Sequence, residues 1–183
     1  MKTQTTSAKL FLTDYASYNN GTQFEFGHWV NLTDFLDAEE FMNYIKNHFA
    51  EADKKSPLGS PREEIMFTDY EGLPKELYSE SMSADEMERL FEYISLENYA
   101  QAIVAYLLSE GYDIDYSLSH YEDVIIYEYD DKLKYHLFDE FYPDAEKAEQ
   151  SCPYLEINYD AFIDDKFTEF EHDGIDYLIF SAN

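Results

Sequence analysis

The chain has 183 residues, with 40 acidic and 12 basic side chains and a formal net charge of −28. That balance excludes direct binding to nucleic-acid phosphates, which requires Lys and Arg to displace counterions, and it disfavours anionic membranes. It favours basic partners, and the length suits one domain or two to three very small ones.

In chain order, Lys9–Thr13 reads as a strand, followed by the Asn19-Asn20-Gly21 turn and a second strand near Phe24–Leu32. Asn-Gly is a strong hairpin signal. Asp37 and Glu40 form a capping box opening a helix through about Ala50, with Phe41, Ile45 and Phe49, joined by Met42 and Tyr44, as its apolar set. Asp53–Arg62, with two prolines and a glycine, reads as a loop, and Ile65–Tyr70 as a strand returning to the first sheet.

Composition shifts after Gly72-Leu73-Pro74. Ser83 and Glu86 form a second capping box before Met87, Leu90, Phe91 and Ile94. A further helix is expected from about Glu97 to Glu110, with Tyr99, Ile103, Tyr106 and Leu107 inward and Gly111 as its stop. In the last third, Val124–Tyr129 reads as a strand, with helical segments at Lys132–Phe141, Asp144–Gln150 and Ala161–Phe167. Thr168–His172 and Ile175–Phe180 flank Asp173-Gly174 as a clear hairpin. The fold class is therefore α+β, in the order sheet-plus-helix (1–73), helical (74–111) and sheet-plus-helix (112–183).

Charge grows along these parts: 8 acids and 5 bases in residues 1–60, 12 and 3 in 61–110, 20 and 4 in 111–183. Ser109–Asp131 alone carries eight carboxylates and five tyrosines with no Lys or Arg. A disordered acidic tail would lack those aromatics and the run Val124-Ile125-Ile126. At one duplex charge per about 1.7 Å, 28 excess charges match about 48 Å, or roughly 14 base pairs, of DNA.

The residues point to no catalytic or metal constellation. His28, His48, His120, His136 and His172 fit no HExxH or CxxC spacing. Asp113-x-Asp115-x-Ser117 opens like a calcium loop, but Leu118 and Val124 stand where Gly and Glu are required. No P-loop, GxGxxG or GxSxG occurs. No catalytic residue, metal or cofactor is therefore assigned. The single Cys152 cannot form an internal disulfide and reads as a small buried apolar residue in a reducing compartment. The N-terminus carries no signal-peptide run and no segment approaches a membrane span, so the cytoplasm is the expected location.

What remains is geometry. Asp85, Glu88 and Glu92 share one helix face, three carboxylates at intervals of about 5 Å, against about 3.4 Å per phosphate along one DNA strand. An ordinary solvated face accounts for that stripe alone; the chain-wide charge shifts the reading. The candidate phosphate-mimicking acids are Asp69, Glu71, Asp85, Glu88, Glu92, Asp113, Asp115, Glu122, Asp123, Glu128, Asp130 and Asp131.

Tyr18-Asn19-Asn20-Gly21 followed by Gly27-His28-Trp29, the segment Glu63–Pro74 (EEIMFTDYEGLP), the helix with Glu88-Arg89-Leu90-Phe91-Glu92 and, loosely, Tyr154–Phe162 (YLEINYDAF) resemble the ArdA-type antirestriction proteins. The resemblance covers most of the chain and is strongest over residues 10–100. It implies an elongated, curved chain of three small domains imitating bent B-form DNA. It also implies a homodimer joined through the C-terminal domain, carriage on mobile elements, and occupation of the DNA groove of Type I restriction–modification enzymes, blocking cleavage and often methylation. Two chains of −28 repel, so the dimer contact must be locally apolar. Val124, Ile125, Ile126 and Tyr127 are the candidate interface strand. Three other readings stay open: an acidic inhibitor or chaperone of basic nucleoid-type proteins, the surface of a salt-adapted protein, and a hydrolase.

Overall fold

Alternation of apolar and polar side chains sets the first sheet. In β1 (Lys9–Asp14), Leu10 and Leu12 are fully buried while Lys9 and Phe11 stand on the other face, as a period of two requires. The computed structural model describes residues 8–152 and 156–180. β1 lies at the centre of an antiparallel sheet, between β2 (His28–Asn31) and β3 (Ile65–Glu71). The register sets Trp29, Phe11 and Asp69 in one cross-strand row and Asn31, Lys9 and Glu71 in the next. Thr68 is the extra residue of a bulge where the β1–β3 register shifts.

Asn19-Asn20-Gly21 does not close the expected tight hairpin. Two short helices, α1 (Tyr15–Asn19) and α2 (Gln23–Phe26), fill the connection, and β2 begins at His28 rather than Phe24. Capping explains the change. The Asp14 carboxylate accepts from the Ser17 N–H at 2.8 Å and starts α1, and Gly21, at φ 68°, follows its end.

α3 (Ala38–Lys55) is capped by Asp37, which accepts from the Glu40 N–H at 2.8 Å, while Glu40 reaches back to the Leu36 N–H at 2.7 Å. It buries Phe41, Ile45 and Phe49 and runs past the expected end at Ala50. Lys54 and Lys55 complement the negative end of the helix there, so the loop starts only at Ser56.

α4 (Ala84–Ser95) begins at a complete capping box: Ser83 accepts from the Glu86 N–H and Glu86 from the Ser83 N–H. α5 (Asn98–Ser109) ends before Gly111, whose φ of 92° suits a helix stop, and α6 (Ile114–His120) follows. Ile103 and Leu107 of α5 are buried as expected, but Tyr99 is exposed and Tyr106 only half-buried. Ala100, Ala102, Val104, Ala105 and Leu108 take the inward positions, since small residues permit close packing. Met87, Leu90, Phe91, Val104 and Leu108 join Leu10, Leu12, Phe41, Ile45 and Phe67 in one apolar cluster. The helices after Pro74 therefore share a core with the first sheet.

The chain separates into two compact units, one reaching Tyr121 and the other starting at Glu122. The second unit holds β4 (Ile126–Glu128), α7 (Leu133–Phe141), α8 (Ala145–Ser151), α9 (Tyr159–Lys166), β5 (Phe167–His172) and β6 (Ile175–Phe180). Its antiparallel sheet has the order β4-β6-β5. Asp173 (φ 52°) and Gly174 (φ 74°) form the tight β5–β6 turn anticipated from Asp-Gly. β4 is shorter than expected and leaves Val124 and Ile125 outside the strand. α9 starts two residues early because Asn158 accepts from the Ala161 N–H at 3.0 Å. Leu137, Phe162, Ile163, Phe167 and Leu178 make a small core, with Phe138 and Phe180 packed against it. Cys152 is exposed rather than buried, because it ends α8, a short and mostly exposed helix with no core to face. No helix among the described residues is long and apolar enough to cross a membrane.

Candidate partner-binding surface

All twelve candidate acids are exposed, but they differ in what they already do. Asp113 caps α6 by accepting from the Tyr116 N–H at 2.8 Å, and Asp130 caps α7 through the N–H groups of Lys132 and Leu133. Asp69 accepts from the Tyr70 N–H through Oδ1, and Glu71 pairs with Lys9 at 2.9 Å. Asp115 takes both arms of the Arg89 guanidinium, one of them at 3.1 Å. Hydrogen bonding to Arg89, then its charge, holds the Asp115 carboxyl below the usual carboxylate range. The side-chain carboxylates of Asp85, Glu88, Glu92, Glu122, Asp123, Glu128 and Asp131 form no hydrogen bond or ion pair among the described residues, although the Glu92 carbonyl accepts from Ser95 Oγ at 2.7 Å.

The α4 stripe is thus intact. Asp85, Glu88 and Glu92 face solvent along one side, and Arg89, the cation between them, is drawn across to Asp115 on α6. Beside that clamp stands a column of rings. Tyr116 and His120, four apart on α6, stack at 4.0 Å and 9°, and Tyr112, just before the Asp113 cap, stacks on Tyr116 at 4.7 Å and 14°. In the second unit, reasoning from sequence missed Glu169, Glu171 and Asp176. Glu171 lies directly across from Asp176, and with Glu169, Tyr129 and Tyr177 they line a depression of about 280 Å³. The period of two in Thr168–His172 was the available signal, since alternate residues share a face.

Of the candidate interface residues, Ile126 and Tyr127 lie in β4, an edge strand of its sheet, and Val124 and Ile125 precede it. Ile125 is exposed, Val124, Ile126 and Tyr127 are half-buried, and Tyr127 packs against the small core.

Two internal networks hold the first sheet's connections. The buried Arg62 donates to Ser17 Oγ at 3.0 Å, Asp53 Oδ1 at 2.6 Å and the Ser56 carbonyl at 2.9 Å. Its Nε lies 3.7 Å from Asp14 Oδ2, and its guanidinium sits over Phe26 at 5.0 Å. Buried Arg requires such partners, and nothing in the Pro-rich segment around Arg62 announced them. Nearby, the Phe26 carbonyl bonds His28 Nδ1 at 3.0 Å and His48 Nε2 at 2.8 Å, while His28 Nε2 meets the Tyr44 hydroxyl at 2.6 Å. Burial pushes the His48 pKa down, and the adjacent His28 adds to that push.

A family model described as antirestriction protein (ArdA) matches residues 10–177. The chain belongs to the ArdA antirestriction family. No curated protein and no solved structure gives a significant match. The motifs that carry the ArdA resemblance fall on defined places: Gly27-His28-Trp29 on the α2–β2 junction and Glu63–Pro74 on β3 and the turn at Gly72, whose φ is 66°. Of the loose Tyr154–Phe162 segment, Tyr154 and Leu155 lie outside the described residues, and Tyr159–Phe162 open α9.

Proposed function

We propose that the chain inhibits Type I restriction–modification enzymes by occupying their DNA-binding groove, with folded carboxylates standing in for the nucleic-acid backbone. The observation that carries this reading is the exposed acidic surface of a family member charged at −28. In its α4 stripe, Asp85, Glu88 and Glu92 form no ion pair among the described residues, because Arg89 bonds Asp115 instead. A basic groove gains affinity for DNA by releasing counterions, and a folded polyanion offers the same exchange without a base to cleave or methylate. Carboxylates on short capped helices also avoid the entropy cost of ordering a flexible tail. Phosphate mimicry carries no base information, so specificity for one recognition sequence should be low. The chain acts as an inhibitor and not as an enzyme, in the host cytoplasm, as a homodimer joined through Val124–Tyr127.

The test is titration of the protein into a Type I enzyme bound to labelled duplex. Near-stoichiometric loss of the enzyme–DNA complex is expected, weakening with ionic strength. Single changes such as Glu88→Gln should be nearly silent, and joint replacement of Asp85, Glu88 and Glu92 should weaken competition. Competition unaffected by salt, or abolished by one carboxylate change, would defeat the reading. Equal displacement of DNA from an unrelated basic nucleoid protein would favour a general acidic inhibitor instead.

A further inference from the structure

The outer face of the first sheet carries an aromatic group that the acidic surface does not explain. Phe11 lies in the middle of the sheet, directly across from Trp29 on one side and Asp69 on the other. The Trp29 ring stands at 84° to Phe11 with centroids 5.6 Å apart, and the Phe24 ring of α2 at 68° and 6.0 Å. Phe24 is 75% exposed and Trp29 39% exposed. Water is thus left against two large apolar rings set nearly perpendicular to a third.

The placement is built. A Cβ added at Gly27 would come within 2.2 Å of the Gln23 carbonyl oxygen of α2 and 3.2 Å of the Leu12 carbonyl oxygen and the Phe11 ring on β1, so glycine is required where α2 ends against β1. Arg62 beneath Phe26 anchors the same helix. Phe11 and Asp69 are directly opposed in the β1–β3 register and so share the outer face of the sheet, where Asp69 also accepts from the Tyr70 N–H. Lys9, the nearest cation on this face, is held by Glu71 in the adjacent row. Among the described residues no Lys or Arg lies over Phe11, Phe24 or Trp29.

We propose that Phe11, Phe24, Trp29 and Asp69 form a receptor for one cationic side chain, an arginine, projecting from the bound partner. Aromatic faces attract a guanidinium through the ring quadrupole, Trp most strongly, and a planar cation can stack on one ring while pairing with a carboxylate. The unit that carries the site, residues 1–121, holds 22 acids against 8 bases, a balance that favours a basic occupant over an apolar one. Only the source of that arginine rests on the reading of the chain as an inhibitor of a basic DNA groove; the receptor itself rests on the sheet.

Trp29 is the chain's single tryptophan and reports on the site directly. The intact protein is titrated with the capped peptide Gly-Arg-Gly and with its citrulline counterpart, following Trp29 emission. Saturable change with arginine alone is expected, with Phe24→Ala and Asp69→Asn each weakening binding about two- to five-fold. Glu140→Gln, an exposed acid on α7 outside the proposed binding residues, should leave the peptide affinity unchanged. An equal response to citrulline, no saturable response, or indifference to Phe24→Ala and Asp69→Asn would overturn the receptor. No restriction enzyme enters this titration, so failure of the inhibitory reading leaves its outcome standing. Loss of the peptide response alongside intact inhibition would remove the receptor alone.

Discussion

Replacing Arg62 with methionine tests the internal support of the first unit. Arg62 is 3% exposed and Asp14 is 1% exposed. The substitution removes the three bonds to Ser17, Asp53 and Ser56 and leaves Asp14 buried beside an apolar chain. Breaking a buried pair by removing one partner costs about 3–5 kcal/mol. For a unit of this size that lowers Tm by roughly 10–20 °C. Urea denaturation followed by Trp29 fluorescence isolates the unit, because Trp29 lies on β2. Asp14→Asn in the Arg62→Met background should recover part of the loss, since it removes the stranded charge while Asn keeps the cap on α1. A loss below about 1 kcal/mol, against the 3–5 expected, would refute the assignment of Arg62 as a structural anchor. So would a double variant no more stable than Arg62→Met.

Other outcomes follow from the same contacts. Because the His48 pKa is lowered in the fold, the unfolded chain binds the extra proton more readily, and this contribution to stability is complete above about pH 6.5. It is lost as pH falls through the folded value, and His48→Gln should flatten that part of the stability–pH curve in urea titrations. Arg89→Ala should return the Asp115 carboxyl toward the usual range in a carboxylate NMR titration; an unmoved value would assign the shift elsewhere. Leu178→Ala, in the small core of the second unit, should cost about 2–5 kcal/mol, read from tyrosine near-ultraviolet circular dichroism. Gly174→Ala should cost about 1–2 kcal/mol, because its φ of 74° is unfavourable for a residue with Cβ.

Elements whose signals were local were legible in the sequence. The Ser83–Glu86 box, the Asp173-Gly174 turn and the i, i+4, i+8 set Phe41, Ile45 and Phe49 all stand where their chemistry places them. Asn20-Gly21 misled because its hairpin preference competes with helix capping by Asp14, and the nearer bond prevailed. Tyr99 and Tyr106 share the helical spacing of Ile103 and Leu107 but do not share their burial, because the neighbouring alanines take the inward positions and let the backbone approach the core. The acidic residues of the site were legible as a composition but not as a division of labour. Whether an exposed carboxylate holds a cation or faces solvent depends on partners far away in the chain, as Arg89 and Asp115 show. The aromatic row Trp29–Phe11–Asp69 needed the sheet register, which no single strand contains.

Glu171 and Asp176 face each other across β5 and β6, one residue pair from the Asp173-Gly174 turn. Like charges so placed oppose the pairing of their own strands, so that hairpin holds together against an internal pressure that only cations can relieve. Dissolved salt relieves it diffusely, whereas a basic surface pressed against the hairpin would do so at fixed points. Docking would then tighten the very fold that receives it, and the inhibitor should melt at a higher temperature in complex than alone.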